Sequence, residues 1–70
     1  MIISYRKLWK ILSERNMKKK ELCAKAGISH ASMAKLGKNE NVTTDVLLKI
    51  CDALQCDIGD IVELTPDNEK

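Results

Sequence analysis

The side chains that could do covalent or metal chemistry in this chain are few: one histidine, His30, three cysteines, Cys23, Cys51 and Cys56, and ten carboxylates. Nucleophilic catalysis needs a hydroxyl, thiol or amine held against a base, and acid–base catalysis needs titratable groups paired in an apolar setting. A single histidine, carboxylates that do not cluster in apolar stretches and the lack of a glycine-rich phosphate loop supply neither. An enzyme is therefore not expected. Metal binding fares little better. The cysteines and His30 add up to four ligands, but no pair has the close C-x-x-C spacing of a zinc site, and two of the thiols fall on apolar helical faces. The odd cysteine count also argues against a disulfide framework. The expectation is buried, reduced thiols, with no metal and no cofactor.

What remains is the chemistry of contact, and one stretch stands out for it: "GISHASMAKLGKN", residues 27–39. As a helix opening at Ser29 it places Met33 and Leu36 on one side, and Ala31, Ala34, Lys35 and Lys38 on the other. Surface helices usually carry long charged side chains on their outer face. A face this low either approaches something closely or reflects only that alanine is a good helix former. The charge distribution bears on the choice. Residues 1–40 carry a net +7 and residues 41–70 a net −5. Such polarity suits a domain that turns one side to a polyanion and keeps the other away. The plain alternative is a pair of solvated faces that neutralise each other.

Positioning that face is the task of a short chain. Seventy residues make one domain, close to the lower size at which a hydrophobic core alone sustains a fold. With no Phe, one Trp and one Tyr, the core must come from aliphatic residues, which favours packed helices. No apolar run approaches the roughly 20 residues of a membrane span, and "MIISYRKLWK" lacks the features of a signal peptide; a cytoplasmic protein is expected. Helix 1 follows from Tyr5, Leu8, Trp9, Ile11 and Leu12 at helical spacing, with Ser4 placed to cap and Asn16 to stop. Trp9 lies at the edge of that stripe and is expected to be partly buried. Helix 2 spans 18–25, with Leu22, Cys23 and Ala26 inward and Gly27 closing it. Helix 3 opens on Ser29 and stops at Gly37 or Asn39. Thr43 or Thr44 caps helix 4, whose apolar face is Val46, Leu47, Ile50, Cys51 and Leu54. Asp57 caps a short fifth helix through Ile61. "MII" and "VEL" are β-prone and would pair within the chain or between two chains. The expected organisation is a domain over 1–64 and a polar tail, "TPDNEK", over 65–70.

Helices 2 and 3 share a local grammar. From Lys19, Leu22 stands at the fourth position, Cys23 at the fifth, Gly27 at the ninth, Ile28 at the tenth, Met33 at the fifteenth and Leu36 at the eighteenth. The fifth must be small because the second helix crosses close to it, and the ninth must allow a sharp turn. The others bury the corner against helices 1 and 4. A corner this tight leaves the second helix proud, with a profile that fits a major groove.

Residues 5–64 resemble the helix-turn-helix domain of the Cro and phage-repressor type, in "MKKKELCAKAGIS", "ASMAKLGKNENV" and "LLKICDALQCDIGDIVEL". The family's frequent Gln at the start of helix 2 is Lys19 here, its Thr cap is Lys18, and its small fifth-position residue is Cys23. The resemblance implies an all-α, five-helix lambda-repressor-like domain and a transcriptional regulator of prokaryotic or phage type, acting as a repressor on double-stranded DNA. It also answers the question of the low face. Ala31 and Ala34 would let helix 3 sit deep, and His30 and Lys35 would address base edges, Lys35 suiting guanine and Ala31 a thymine methyl. Lys18, Lys19, Ser29, Ser32, Lys38 and Asn39 would hold phosphates, together with the N-terminus of helix 2. Useful specificity would require a homodimer on a two-fold site, weak or DNA-assisted because the acidic halves repel. Helix 5 and the terminal strands are its candidate contacts. The other functional class is a protein-interaction module, such as the antitoxin of a toxin–antitoxin pair, since the fold does not fix function.

Overall fold

The computed structural model describes residues 1–66. In chain order they form β1 (Ile2–Ser4), α1 (Arg6–Glu14), α2 (Lys19–Ala26), α3 (His30–Gly37), α4 (Thr44–Leu54), a single 3₁₀ turn (Ile58–Asp60) and β2 (Glu63–Thr65). The two strands pair within the chain, antiparallel, with Ile2 opposite Thr65, Ile3 opposite Leu64 and Ser4 opposite Glu63. The ends of the domain are thus tied together. The polar tail expected over 65–70 has its first residue inside β2, and its last four lie outside the described residues.

Each α-helix stops by the same device. A residue one or two positions past its end enters the left-handed region: Asn16 (φ 56°), Gly27 (φ 71°), Asn39 (φ 57°) and Gln55 (φ 54°). The next N–H then reaches back to a carbonyl five residues earlier: Met17 to Leu12 at 2.8 Å, Ile28 to Cys23 at 3.2 Å, Glu40 to Lys35 at 2.9 Å and Cys56 to Cys51 at 3.1 Å. This closure satisfies end carbonyls and sets the two residues it joins on adjoining turns. Three of these pairs are apolar or thiol and one, Lys35 with Glu40, is charged. Two starts use the expected caps: the Ser29 hydroxyl accepts from the Ser32 N–H and Thr43 from the Val46 N–H.

The core is one cluster that draws on every element. Tyr5 and Leu8 of the first segment, Leu22 of α2, Leu36 of α3, Ile50 and Leu54 of α4, and Ile61 are fully buried. Around them Cys23, Ile28, Leu47 and Cys51 fill the gaps, and Trp9, Met17, Met33 and Val46 pack at the edge half-buried.

Two expectations need correction. The fifth helix is only one 3₁₀ turn. Asp57 does start it, its carboxylate accepting from the Ile58 N–H at 3.1 Å while its own N–H donates to Asp60 at 3.0 Å. Gly59 is a poor helix former, and the chain must straighten by Glu63 to pair with β1, so no second turn fits. Ser4 is not the helix 1 cap either. Strand pairing claims it, and the residue at the cap position is Tyr5, which offers no side-chain bond; the Ser4 hydroxyl accepts from the Arg6 N–H at 3.3 Å.

Candidate nucleic-acid interface

The corner is built from its turn outward. Lys18 precedes α2 without a side-chain acceptor to cap it, and the Glu21 carboxylate instead folds back to take the Lys18 backbone N–H at 2.8 Å. Gly27 then reverses the chain at a φ that a side chain would strain, and buried Ile28 plugs the corner. The Cys23 thiol donates to the Ile28 carbonyl at 3.0 Å, a bond that holds the turn against α2. The close approach explains why the fifth position is small.

On α3, Leu36 is fully buried and Met33 packs half-buried beneath it. His30, Ala31, Ala34 and Lys35 all lie on the exposed side of the helix. The four residues expected to address base edges therefore share one exposed side of α3. Nothing longer than an alanine side chain stands between His30 at one end and Lys35 at the other, so a partner can reach the backbone of the helix.

The residues expected to flank this face differ in how committed they are. Lys18 and Lys38 are exposed and make no ion pair among the described residues. Lys19 lies over the Trp9 ring, its ammonium 4.5 Å from the ring centre, which holds it at the α1–α2 seam by cation–π attraction. The Ser29 hydroxyl donates to the Ser32 hydroxyl at 3.1 Å while capping the helix. Asn39 accepts the Tyr5 N–H at 3.3 Å through its side-chain oxygen, leaving its amide NH₂ to donate outward.

That bond is half of a clamp which sequence reasoning missed. The Tyr5 hydroxyl donates to the Glu40 carbonyl at 2.7 Å, so one buried side chain fastens the segment leaving α3 to the start of α1. The partners are about half the chain apart, and no local pattern announces them. The basic count also divides in a way that composition hid. On and just after α1, three of the four cations serve the fold: Arg6 pairs with Glu63, Lys7 donates to the Gly59 carbonyl, and Arg15, just after the helix, donates to the Leu54 carbonyl; Lys10 has no such partner among the described residues. Lys18, Lys20, Lys25, Lys35 and Lys38 have no such partner among the described residues. The uncommitted positive charge is concentrated on the helix-turn-helix.

No group of three or more histidine, cysteine or carboxylate side chains converges among the described residues. Burial pushes the Cys51 thiol up to about 11, with Cys56, Asp57 and Asp60 adding to the shift, so it stays protonated at neutral pH and is a poor nucleophile. No helix of the described residues is long and apolar enough to cross a membrane.

Comparison with known proteins agrees with the geometry. The chain is similar to an uncharacterized HTH-type transcriptional regulator of Bacillus subtilis (strain 168), YozG, with 36% identity over 61 residues covering 84% of this chain and 73% of that protein. The crystal structure of the transcriptional regulator VanUg superposes with a TM-score of 0.91 and 56% identity, over 94% of this chain and 88% of that one. Residues 7–67 match the sequence model of the Cro/C1-type HTH DNA-binding domain. A tight corner presenting a low, uncommitted helix face, and relatives that are transcriptional regulators throughout, lead to one assignment: the chain belongs to the Cro/C1-type helix-turn-helix family of DNA-binding transcriptional regulators.

Proposed function

We propose that the protein is a cytoplasmic, non-enzymatic repressor that lays α3 in the major groove of a specific double-stranded DNA site. The observation that carries this reading is the low face of α3 beside five lysines of the helix-turn-helix that have no protein partner among the described residues. Ala31 and Ala34 let the helix enter, Lys35 donates to guanine O6 or N7, and His30 reads the base at the helix start. Lys18, Lys19, Ser29, Ser32, Lys38 and Asn39 set the register on the phosphates. A domain that inserts one two-turn helix reads only a few base pairs, so two copies act together on a two-fold site.

The test is selection from a pool of random duplexes across a salt series. Lys35→Ala and His30→Ala relax the preference at one or two positions, each by roughly 1–3 kcal/mol of discrimination. Lys38→Ala weakens every sequence alike and lowers the log–log salt slope by about 0.9. Enrichment of no sequence, with a slope that both kinds of variant reduce equally, would overturn the assignment of base-reading residues.

A further inference from the structure

The four helix ends supply an internal comparison. In each, a left-handed residue folds the chain back so that a backbone bond joins residues five apart. It joins Leu12 to Met17, and Cys23 to Ile28, apolar pairs of the kind this closure usually holds. At the end of α4 the same positions hold Cys51 and Cys56. The backbone bond from the Cys56 N–H to the Cys51 carbonyl, 3.1 Å, holds the two residues side by side, and both line one hollow. Both are free. Cys51 is almost fully buried, Cys56 is partly buried, and the pair lines a shallow depression with Leu48, Asp52, Gln55 and Asp57. Sequence spacing alone gave no hint of this, because C-x₄-C lacks the C-x-x-C signature of tetrahedral zinc.

We propose that Cys51 and Cys56 form an intrachain dithiol site that takes one soft divalent metal ion in two-coordinate S–M–S geometry. Thiolates select soft ions, and no third ligand converges here among the described residues, which favours two-coordinate over four-coordinate chemistry. Charge then chooses among soft ions. Binding a divalent ion forms two M–S bonds, breaks two S–H bonds and releases two protons to water, so the site's net charge does not change. A monovalent ion would leave one extra negative charge beside Asp52, Asp57 and Asp60, three carboxylates against the two cations, Lys7 and Lys10, that line the neighbouring hollow with Cys56. A trivalent arsenical reaches the same neutral bis-thiolate, its As=O oxygen leaving as water with the two thiol protons. Cys23 is the built-in control: it occupies the same position in α2, but faces Ile28 rather than a second thiol.

The experiment titrates the folded, reduced chain with mercuric ion under native mass spectrometry, alongside Cys56→Ala, Cys51→Ala and Cys23→Ala. Because Cys56 lies at the edge of the core and not within it, its variant perturbs packing less than Cys51→Ala and stays decisive even if that variant fails to fold. The expected result is one ion per chain, with a mass gain of one metal less two hydrogens. Cys56→Ala lowers affinity by roughly 10²-fold or more, the effective-concentration advantage of an intrachain pair, and Cys23→Ala leaves it unchanged. One ion shared between two chains, or equal binding by Cys56→Ala, overturns the proposal. Silver ion in competition should bind more weakly than mercuric ion; the reverse order overturns the charge argument. Phenylarsine oxide in a parallel titration separates the sources: if mercuric ion displaces it the metal assignment stands, and if it displaces mercuric ion that assignment is overturned in favour of an arsenical. None of these readouts involves DNA, so they stand or fall apart from the regulator reading.

Discussion

Tyr5 shows how a single residue serves the interface without touching it. Its ring is fully buried, its hydroxyl donates to the Glu40 carbonyl and its N–H to Asn39. The stretch that leaves α3 is thereby fixed to α1. Tyr5→Phe keeps the packing and removes one hydrogen bond, so it should cost about 1 kcal/mol of stability in urea unfolding. It should also weaken DNA binding, since the end of α3 loses an anchor. The same residue predicts an alkaline limit. Burial raises the Tyr5 phenol above its ordinary 10.0, with the Val42 backbone partly offsetting this. The phenol is neutral when protonated and its folded value is the higher one. Its contribution is therefore fully present below pH 10 and is lost as pH rises through the folded value. Tyr5 is the only tyrosine, so tyrosinate absorbance reports it directly. The absorbance should rise late and together with unfolding, and Tyr5→Phe should show a shallower alkaline decline in stability. Equal declines in the two proteins would show that the phenol does not set the limit.

At the scale of elements, glycines that look alike in sequence should behave oppositely. Gly27 sits at φ 71°, and a Cβ there would meet nothing within 4 Å, so backbone strain alone opposes substitution. Gly27→Ala should destabilise by roughly 1–2 kcal/mol. Gly37 ends α3 without a positive φ and with equal room around it. Gly37→Ala should stabilise by roughly 0.5–1 kcal/mol, because alanine loses less chain entropy on folding. Chemical denaturation of both variants checks the pair, and matching signs would refute the backbone argument. The contrast also marks what was legible beforehand. Asn16, Gly27 and Asn39 are residue types that tolerate the left-handed region, so three helix ends could be read from them. Gln55 adopts the same conformation without that preference, and the thiol pair it brings together went unseen. The low face of α3 was legible because Met33 and Leu36 fix which side turns inward. The α1 tethers and the Tyr5 clamp were not, since they join residues 34 to 57 positions apart. The fifth helix was overread from its cap, because a cap determines where a helix starts and not whether it continues past Gly59 into a strand.

For the whole molecule the question is how a domain this small acquires specificity. Its longest dimension is 34 Å, close to the spacing of about 34–36 Å between successive major grooves on one face of DNA. Two copies with α3 in adjacent grooves can therefore touch without any further domain. The surface that would meet is exposed at the paired termini, where Met1, Ile2 and Leu64 line a shallow hollow together with Lys35 and Glu40, next to the end of α3. Such a patch is small, and the acidic halves of two copies repel, so association in the absence of DNA should be weak: sedimentation at micromolar concentration should find mainly monomer. Bound to adjacent half-sites, the copies are held at high effective concentration and a modest contact suffices. Leu64 is 61% exposed, so Leu64→Thr keeps a strand-compatible side chain and should change stability by no more than about 0.5 kcal/mol. It should reduce cooperative binding to a duplex with two half-sites while leaving affinity for a single half-site unchanged. If single-site affinity falls by the same factor, the change acts through the fold or the DNA contact. If cooperativity survives, the copies meet elsewhere, and the exposed Leu48 on α4 is the next surface to alter.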